Sequence, residues 1–446
     1  MALFGTDGIR GVANRDLTAE LALDVAVAAA HILVESLGST SVRPRAIVGQ
    51  DSRASGEFLE AAVVAGLTSA GVDVYRVGIL PTPAIAFLVG ESGADLGVMI
   101  SASHNPMPDN GIKIFSRGGG KLDDSLEAAI EARIREPWER PTGTKVGRAI
   151  SDETAAQRYM EHLLASNSVS LAGLKVVIDC ANGAGSIVAP ETLRKAGAEV
   201  IAVANQPTGW NINDGCGSTH LDNVREKVLE TNADIGIALD GDGDRCLAID
   251  ADGNSIDGDQ ILTVLALGLK DRGLLRNNTL VATVMSNLGL LAAMKEAGIT
   301  VIKTPVGDRY VLEKMIESDY SLGGEQSGHV ILRDHANTGD GILTALAFLQ
   351  EMVRNKKSAQ QLSDAMTKYP QVLINVNGVE KDKLDSSTAI SSAIRAAEIE
   401  LGDDGRVLVR ASGTEPLVRV MVEAASDDLA STIASSLVDL VQQELG

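Results

Sequence analysis

The sequence predicts an α/β protein built from several domains. Its 446 residues are too many for a single hydrophobic core. Short apolar runs alternate with stretches in which apolar residues recur at helical spacing, and this alternation is typical of layered α/β domains. Several apolar runs end in polar, glycine-rich loops, which is where α/β proteins usually bind ligands. We therefore expect sheets covered by helices, with the functional residues at the ends of strands.

The first unit is expected to span residues 1–150. Its helix signals are apolar residues at helical spacing, and its strand signals are short apolar runs that end at glycine or proline. In chain order we predict a helix at 18–37, a strand at 46–49, a helix ending near 70, strands at 72–80 and 96–100, and a linking region at 133–145.

Three further units follow, with boundaries predicted at 151–255, 256–368 and 369–446. The last of them reads as a small α+β lid domain. The predicted elements are strands at 174–180 and 235–239 in the second unit, a long apolar helix from 259, a strand at 279–284 and a helix at 341–354 in the third, and a strand at 372–376 and a C-terminal helix in the fourth.

The segment 100–107 is the most informative part of the chain. An apolar strand stops there at two hydroxyls, an imidazole, an amide and a proline. A serine beside a histidine at a strand end could be a nucleophile or the carrier of a covalent group, although an isolated pair is more simply a polar turn. Ser101 and Ser103 compete for this role. We favour Ser103 because it directly precedes His104.

The segment 240–245 predicts a metal site. Asp240, Asp242 and Asp244 alternate with glycines after an apolar strand, and carboxylates so close together repel one another unless a cation lies among them. Hard oxygen ligands suit Mg²⁺ or Ca²⁺. An EF-hand would need glycine and glutamate where Arg245 and Ala251 stand, so that alternative fails. A solvated acidic turn is the remaining alternative.

Two more glycine-framed loops carry polar groups suited to a sugar phosphate. The first, 323–329, offers a carboxylate, an amide, a hydroxyl and an imidazole to a polyhydroxylated ligand. The second, 410–416, places hydroxyls and free backbone N–H groups beside Arg410, with Arg419 close by. Guanidinium groups and turn amides together commonly bind phosphate. The four loops therefore predict a reacting serine, a divalent metal, a sugar and a phosphate.

These loops, in this order, resemble those of the α-D-phosphohexomutase superfamily, and the resemblance covers essentially the whole chain. The matching segments are 101–106 for the phosphoserine loop, 240–245 for the metal loop, 324–329 for the sugar loop and 410–414 for the phosphate loop. The resemblance implies four domains around a central cleft, namely three similar layered α/β domains with mixed sheets and a C-terminal α+β lid domain.

The resemblance also implies roles for individual residues. Ser103 would carry a phosphoryl group, and Lys113 would be the general acid–base, with His104 as the second candidate. A surface position is the alternative for Lys113, and a structural role is the alternative for His329. The implied sets are Ser103, Lys113, Arg10 and His104 for catalysis, Ser103, Asp240, Asp242 and Asp244 for the metal, Arg245, Asp308, Arg309, Glu325, Ser327 and His329 for the substrate, and Arg410, Ser412, Gly413, Thr414 and Arg419 for phosphate.

Within the superfamily, the chain is most similar to the bacterial branch that acts on glucosamine phosphates. The matching details are segment 4–11, Gln326, segment 306–310 and segment 213–218. This branch implies interconversion of glucosamine 6-phosphate and glucosamine 1-phosphate with Mg²⁺ and a bound glucosamine 1,6-bisphosphate, in the supply of UDP-N-acetylglucosamine and cell-wall precursors. A mutase for mannose or glucose phosphates is the alternative enzyme. A sugar-phosphate sensor that keeps the fold but no longer catalyses the reaction is an alternative from another class. The intact Ser103 argues against it, because pure binding needs no phosphoryl carrier.

Composition narrows the class of protein further. The net charge of −21 argues against partners such as nucleic acid or anionic membranes. Because the predicted substrate is an anion, positive charge must be concentrated locally, at Arg10, Lys113, Arg410 and Arg419. Three cysteines without metal-ligand spacing suit a reducing cytoplasm, and the N-terminal residues do not resemble a signal peptide. By analogy alone we expect a homodimer, and an activating phosphoryl donor or kinase for Ser103.

Overall fold

The computed structural model describes residues 3–5, 7–35, 43–412 and 417–446. It divides into two compact units, one drawn from Met1–Val284 with Thr300–Asp364 and the other from Met285–Ile299 with Ala365–Gly446. Among the helices so described, none combines the length and the apolar character needed to cross a bilayer.

The first sheet of the larger unit is mixed. Its strands are β1 (Ile9–Val12), β2 (Arg45–Gln50), β3 (Asp73–Ile79), β4 (Leu96–Ile100), β5 (Asp109–Ser116) and β6 (Ala149–Ser151). They lie in the order β1-β5-β4-β2-β3-β6, in which β5 is antiparallel to both neighbours and the other pairs are parallel. Its helices are α1 (Ala19–Glu35), α2 (Ser55–Ser69), α3 (Thr82–Ser92) and α4 (Asp124–Arg133).

Burial explains why these segments form one layered domain. β4 is buried along its whole length, as the continuous apolar run predicts for a strand covered on both faces. The alanine-rich α1 packs closely against α2, and both helices contribute to a core that also contains residues of β2, β4 and β5. Helix α3 packs against β2 and β4.

The second sheet repeats this plan. Its elements are α5 (Ala155–Ala165), β7 (Lys175–Asp179), α6 (Val188–Lys195), β8 (Glu199–Val203), α7 (Asp222–Thr231), β9 (Ile235–Leu239), β10 (Cys246–Asp250) and β11 (Ser255–Ile256). The strand order is β11-β10-β9-β7-β8, with β7 parallel to β8 and β9, and with β10 antiparallel to β9 and β11.

The third sheet has four strands in the order β13-β12-β14-β15, and only β14 and β15 are antiparallel. The elements of this stretch of chain are α8 (Gly258–Asp271), β12 (Thr279–Thr283), α9 (Leu288–Glu296, which belongs to the smaller unit), β13 (Thr300–Thr304), α10 (Asp308–Glu317), β14 (Leu322–Gly324), β15 (Val330–Leu332), α11 (Gly341–Asn355) and α12 (Ala359–Ser363).

The smaller unit contains an antiparallel sheet with helices. Besides α9, its elements are β16 (Gln371–Asn377), α13 (Thr388–Leu401), β17 (Arg406–Ala411), β18 (Leu417–Glu423) and α14 (Asp427–Leu445). The strand order is β16-β18-β17. The buried carboxylate of Glu423 accepts hydrogen bonds from Leu288 N (2.9 Å) and Arg406 Nε (2.7 Å), which anchor the start of α9 to the sheet.

Side-chain caps fix the starts of several helices. Asp257 accepts hydrogen bonds from the backbone of α8 and forms a capping box with Gln260, and Asp340 accepts from Ile342 N (3.0 Å) and Leu343 N (2.9 Å) at the start of α11. Such caps satisfy N–H groups that have no partner within the helix.

The three mixed sheets share one arrangement that positions the functional loops. In each, one strand pairs in parallel with one neighbour and antiparallel with the strand that follows it in sequence. These pairs of consecutive strands are β4 and β5, β9 and β10, and β14 and β15. The predicted serine, metal and sugar loops are the three connections of this kind. This architecture agrees with the predicted layered α/β domains and the C-terminal α+β domain.

Candidate active site

The serine loop brings Ser103 against the metal loop. Ser103 lies in the left-handed region of backbone conformation, with φ of 52°, and only 1% of its surface is exposed. Its Oγ donates to Asp240 Oδ2 at 2.5 Å and lies 3.3 Å from His104 Nδ1. A residue of β4–β5 thus meets one that is 137 positions away, as the predicted serine–metal pairing requires.

Ser101 occupies a different environment. Its hydroxyl is completely buried, donates to Asp51 Oδ2 at 2.6 Å and accepts from Ser103 N at 2.9 Å. Because its oxygen already serves as both donor and acceptor inside the protein, the geometry favours Ser103 as the reacting serine.

The metal loop connects β9 to β10 and gathers three buried carboxylates. One oxygen from each of Asp240, Asp242 and Asp244 lies within 4.8 Å of the others. Within the described chain, Asp242 Oδ1 and Asp244 Oδ1 are buried without a hydrogen-bond partner. Unpaired buried anionic oxygens are costly, and oxygen-only donor sets suit hard divalent cations. The residues therefore fit a metal of the magnesium type.

The same crowding perturbs the acidity of the aspartates. Burial, followed by repulsion from Asp244 and Asp242, raises the pKa of Asp240 well above its ordinary value. Burial also opposes ionisation of Asp244, but Lys113 and His329 hold its pKa below the ordinary value. The carboxylates thus differ in how readily they ionise when no cation is bound.

Lys113 is a buried cation at the centre of the carboxylates. Its Nζ lies 2.8 Å from Asp242 Oδ2, 2.8 Å from Asp7 Oδ2 and 3.7 Å from Asp244 Oδ2. Although burial opposes the charge, Asp242 and Asp7 raise the pKa of Lys113 well above its ordinary value. This placement rules out the surface alternative for Lys113.

His104 differs from Lys113 in charge. Burial, with Arg245 and Arg10 adding to it, lowers the pKa of His104 to about 4. The imidazole is then neutral at pH 7, and its Nδ1 faces Ser103 Oγ. A neutral imidazole can accept a proton, so His104 stands as a second candidate for proton transfer.

A second ion-pair network, which is not predicted from the sequence, joins the metal and sugar loops through residues near β1 and β5. Lys121 Nζ contacts Asp308 and lies 2.7 Å from Asp7 Oδ1. His329 lies between two carboxylates, with Nε2 3.1 Å from Asp308 Oδ2 and Nδ1 3.7 Å from Asp244 Oδ2. Asp7 and Lys121 therefore connect the metal ligands to the predicted sugar-binding residues.

Three more of the predicted residues lie near this network, in β1, on the metal loop and on the sugar loop. Arg10 Nη2 pairs with Asp7 at 2.7 Å, Arg245 N donates to Asp240 Oδ1 at 3.1 Å, and Glu325 Oε1 accepts from Gly307 N at 3.0 Å. Arg245 and His329 also form an isolated β-bridge, which places the sugar loop beside the metal loop. Ser327 is exposed on the sugar loop.

Arg309 is held by several carboxylates. Its guanidinium contacts three carboxylates, at 2.6 Å from Asp124, 3.4 Å from Glu127 and 3.1 Å from Glu313. These contacts join α10 to α4. The predicted contact of Arg309 with the substrate stays a prediction.

The smaller unit holds the predicted phosphate-binding residues that the structure describes, Arg410, Ser412 and Arg419. Arg410 and Arg419 are paired across β17 and β18. Burial and the neighbouring Arg419 lower the pKa of Arg410. Two adjacent guanidinium groups repel each other unless an anion lies near, so the pair suits a phosphate. Gly413 and Thr414 lie outside the described residues.

Comparison with known proteins places the whole chain in one family. The four domain models of the phosphoglucomutase/phosphomannomutase family match it: alpha/beta/alpha domain I at residues 1–140, domain II at 157–253, domain III at 257–369 and the C-terminal domain at 373–440. These matches confirm the predicted four-domain α/β class. The exact predicted boundaries stay predictions.

Similar proteins agree with this assignment. The phosphoglucosamine mutase of Thermobifida fusca is 60% identical over 443 residues, 99% of this chain and 98% of that protein. A phosphoglucomutase/phosphomannomutase family protein of Burkholderia thailandensis has a crystal structure with a TM-score of 0.83, 26% identity, and coverage of 100% and 98% of the two chains. Aspergillus fumigatus N-acetylphosphoglucosamine mutase, solved with GlcNAc-6P and magnesium, shares the fold at a TM-score of 0.70 and 18% identity, with 99% and 95% coverage.

Proposed function

The chain belongs to the phosphoglucomutase/phosphomannomutase family, among its phosphoglucosamine mutases, and we propose that it interconverts glucosamine 6-phosphate and glucosamine 1-phosphate through a phosphorylated Ser103. The observation that carries the proposal is the placement of Ser103 Oγ 2.5 Å from Asp240, at the edge of three buried aspartates. Pure binding would not require a buried serine hydroxyl among metal ligands.

Phosphoryl transfer would begin with the phosphate on Ser103. The free hydroxyl of the sugar attacks phosphorus, the bond from phosphorus to Ser103 Oγ breaks, and the hydroxyl proton passes through a base of the site to the Ser103 oxygen. The product is a bound glucosamine 1,6-bisphosphate. It turns over in the site, and the reverse reaction returns its other phosphate to Ser103.

Residues of this chain would neutralise the charge of the moving group. Asp240, Asp242 and Asp244 would hold Mg²⁺ with an oxygen of phosphorylated Ser103, and the bound ion would offset negative charge on the phosphoryl group. Lys113, held as an ammonium by Asp7 and Asp242, adds a positive charge. It is our first candidate for proton transfer, and the neutral His104 is the second.

Binding of the rest of the substrate would fall to two sets of residues. Glu325, Ser327, His329 and Asp308 would contact the sugar, and Arg410, Ser412, Gly413, Thr414 and Arg419 would hold the phosphate that does not react. Arg245 and Arg10 would add positive charge. The supply of UDP-N-acetylglucosamine for cell-wall precursors, a cytoplasmic location, a homodimer, and a phosphoryl donor or kinase for Ser103 remain predictions.

Replacement of Ser103 tests the phosphoserine. Ser103→Ala should abolish isomerisation, because the competing serine, Ser101, is already hydrogen-bonded to Asp51 and to Ser103 N, while the fold is kept. Intact-mass spectra should show one phosphate on active wild-type protein and none on the variant. Near-normal turnover by Ser103→Ala together with an inactive Ser101→Ala would contradict the assignment.

Substrate choice separates this reaction from that of the related mutases. Since Asp308 is already paired with Lys121, we attribute recognition of a cationic C2 amino group mainly to Glu325, which is half-buried. A coupled assay should give higher kcat/KM for glucosamine phosphates than for glucose or mannose phosphates. Glu325→Gln should reduce this preference. Equal or better use of glucose or mannose 1-phosphate by wild type would assign the chain to the alternative branch.

A further inference from the structure

The backbone of Ser103 is held from several sides by buried polar groups that the mechanism does not use. We propose that Arg53, with Asp51, Ser101 and Asn213, positions Ser103 so that its Oγ faces the metal ligands during phosphoryl transfer. The proposal rests on the function proposed above. We call these four residues the serine clamp.

Arg53 makes the largest number of contacts. Its side chain is 0% exposed, and Nη2 donates to Ser103 O at 3.0 Å and to Asn105 O at 2.8 Å, while Nη1 donates to Pro106 O at 2.6 Å. One planar guanidinium thus fixes three carbonyls of a loop that has no regular secondary structure. Only arginine presents donors in a rigid fork that can do this.

Asp51 and Ser101 hold the other end of Ser103. Asp51 accepts from Arg53 Nε at 3.0 Å and Arg53 N at 2.9 Å, and its Oδ2 also accepts from Ser101 Oγ at 2.6 Å. Ser101 Oγ in turn accepts the N–H of Ser103 at 2.9 Å. The clamp therefore contacts both the N–H and the carbonyl of the reacting serine.

Asn213 reinforces the loop from the second sheet's domain. Its Nδ2 donates to Ser103 O at 2.9 Å and Asn105 O at 3.1 Å, the carbonyls that Arg53 also contacts. Two donors from separate parts of the chain therefore converge on the carbonyl of Ser103. Asn213 itself is only 8% exposed.

The clamp explains how Ser103 keeps a left-handed backbone. At φ of 52° this conformation is unfavourable for an L-residue other than glycine, and it persists only where the surroundings fix it. A buried ion pair such as Asp51–Arg53 is a weak source of stability in itself, since desolvation offsets its attraction. The hydrogen bonds of this pair instead hold the serine loop, whose geometry decides the in-line approach of the reacting hydroxyl.

These contacts predict a specific kinetic effect. The clamp is buried behind the serine loop, so its loss should misplace Ser103 Oγ without removing a group that binds the substrate. Misplacement of a reacting atom by about 1 Å can cost roughly 100-fold in rate. We expect kcat to fall about 10–100-fold with little change in KM.

Three variants and one control test the clamp. The variants are Ser101→Ala, Asn213→Ala and Arg53→Lys. The control is Arg76→Lys, which alters a guanidinium paired with the buried Glu60 in the same domain, away from the serine loop. For each protein we would measure Tm, kcat and KM, and the rate at which unphosphorylated enzyme gains a phosphate from glucosamine 1,6-bisphosphate, by intact-mass spectrometry.

The outcomes separate positioning from stability. The clamp variants should lower both kcat and the phosphorylation rate while KM stays within about threefold, and the control should change neither. If Arg53→Lys does not fold, Ser101→Ala and Asn213→Ala decide the test. Unchanged kcat and phosphorylation rate in folded clamp variants, or a rise in KM alone, would overturn the proposal. A wild-type protein that neither isomerises nor gains phosphate would overturn the proposed function as well.

Discussion

Thr82 illustrates how one buried hydroxyl can orient a metal ligand. It begins α3, and its Oγ1 donates to Asp242 Oδ2 at 2.5 Å. Lys113 Nζ contacts the same oxygen at 2.8 Å. Both donors therefore engage Oδ2, whereas Oδ1 of Asp242 is buried without a hydrogen-bond partner, and we expect a cation to use this second oxygen. Partners of this kind orient ligands and tune metal affinity.

Removal of that hydroxyl should weaken metal binding. Thr82→Val keeps the shape of the side chain but frees Asp242 to rotate, so we expect Mg²⁺ affinity to fall roughly 10-fold. Isothermal titration calorimetry with Mg²⁺ would measure the affinity. The matched control is Thr192→Val, a buried threonine whose hydroxyl donates to Val188 O at 2.6 Å in α6. Equal affinities of Thr82→Val and wild type would argue against the orienting role.

Reacting residues are easier to recognise in the sequence than the residues that position them. Ser103 and the three aspartates stand in short motifs whose chemistry is readable from neighbouring residues. Arg53, Thr82 and Lys121 act on partners 50 or more positions away, so no local pattern reveals their function. Lys113 combines both cases, since its motif suggests a role but its burial among carboxylates depends on the fold.

The connections between antiparallel strands are the elements that assemble the site. The serine loop between β4 and β5 and the metal loop between β9 and β10 lie close together at Gly241. A Cβ built on Gly241 would lie 2.6 Å from Ser103 O, 2.8 Å from Asn213 Nδ2 and 2.9 Å from Ile212 Cδ1. Glycine at this position therefore allows the two loops to be in contact.

Gly241→Ala should separate these loops. Because the nearest atom is a backbone carbonyl, relief of the clash requires one of the loops to move, and we expect kcat to fall about 10–100-fold. Steady-state kinetics would measure the loss, and circular dichroism would check the fold. Gly120→Ala is the control, since its Cβ would meet only Ser116 Oγ, at 3.6 Å. A comparable loss of activity in both variants would contradict the loop-contact explanation.

Among the strands, the sequence predicts the continuous apolar runs well and the strands that carry polar or glycine residues poorly. The predicted strand at 46–49 corresponds to β2, Arg45–Gln50, and the helix at 341–354 to α11, Gly341–Asn355. Local patterns do not indicate β5, which carries Asn110, Gly111 and Lys113 in its interior, or the short β1 and β6. Those strands depend on pairing with partners distant in sequence, because their own residues do not alternate.

The charge of the whole chain is negative, yet the substrate is an anion. Lys113 and Arg10 are predicted from the sequence to supply local positive charge, but in the larger unit they are surrounded by carboxylates. Five carboxylates there, Asp7, Asp240, Asp242, Asp244 and Asp308, face four cationic side chains, Arg10, Lys113, Lys121 and Arg245, and the imidazole of His329. The carboxylates therefore offset most of the positive charge, and one divalent cation would leave this part of the larger unit positively charged. Attraction of a phosphorylated substrate to this part of the larger unit should therefore depend on the metal.

Stability of the larger unit should depend on pH through Asp340. This buried carboxylate caps α11 and accepts a hydrogen bond from Tyr159 OH of α5 at 2.8 Å, which ties two helices together. Burial raises the pKa of Asp340 from 3.8 to about 6. Between these two pH values, Asp340 is therefore protonated in the folded protein and ionised in the unfolded chain. Its contribution to stability is complete below pH 4 and lost as the pH rises through 6, at a cost of about 3 kcal/mol.

Asp340→Asn should remove this pH dependence. The amide oxygen can still accept from Ile342 N and Leu343 N, and the amide nitrogen can donate to the Tyr159 oxygen, so the cap and the helix contact are kept. We expect the variant to gain stability relative to wild type as the pH rises from 4 to 7. Thermal unfolding of both proteins across that range would measure the difference, in which the titration of all other groups cancels.

Asp123→Asn provides the opposite case. Asp123 caps α4 on the surface, and hydrogen bonds, first from Ser125 and then from Leu126 N, lower its pKa. A lowered pKa contributes stability above the unfolded value that is lost as the pH falls, so this variant should lose stability relative to wild type as the pH rises. If Asp340→Asn follows the same trend as Asp123→Asn, then Asp340 is ionised without cost in the folded protein, and burial does not control its proton.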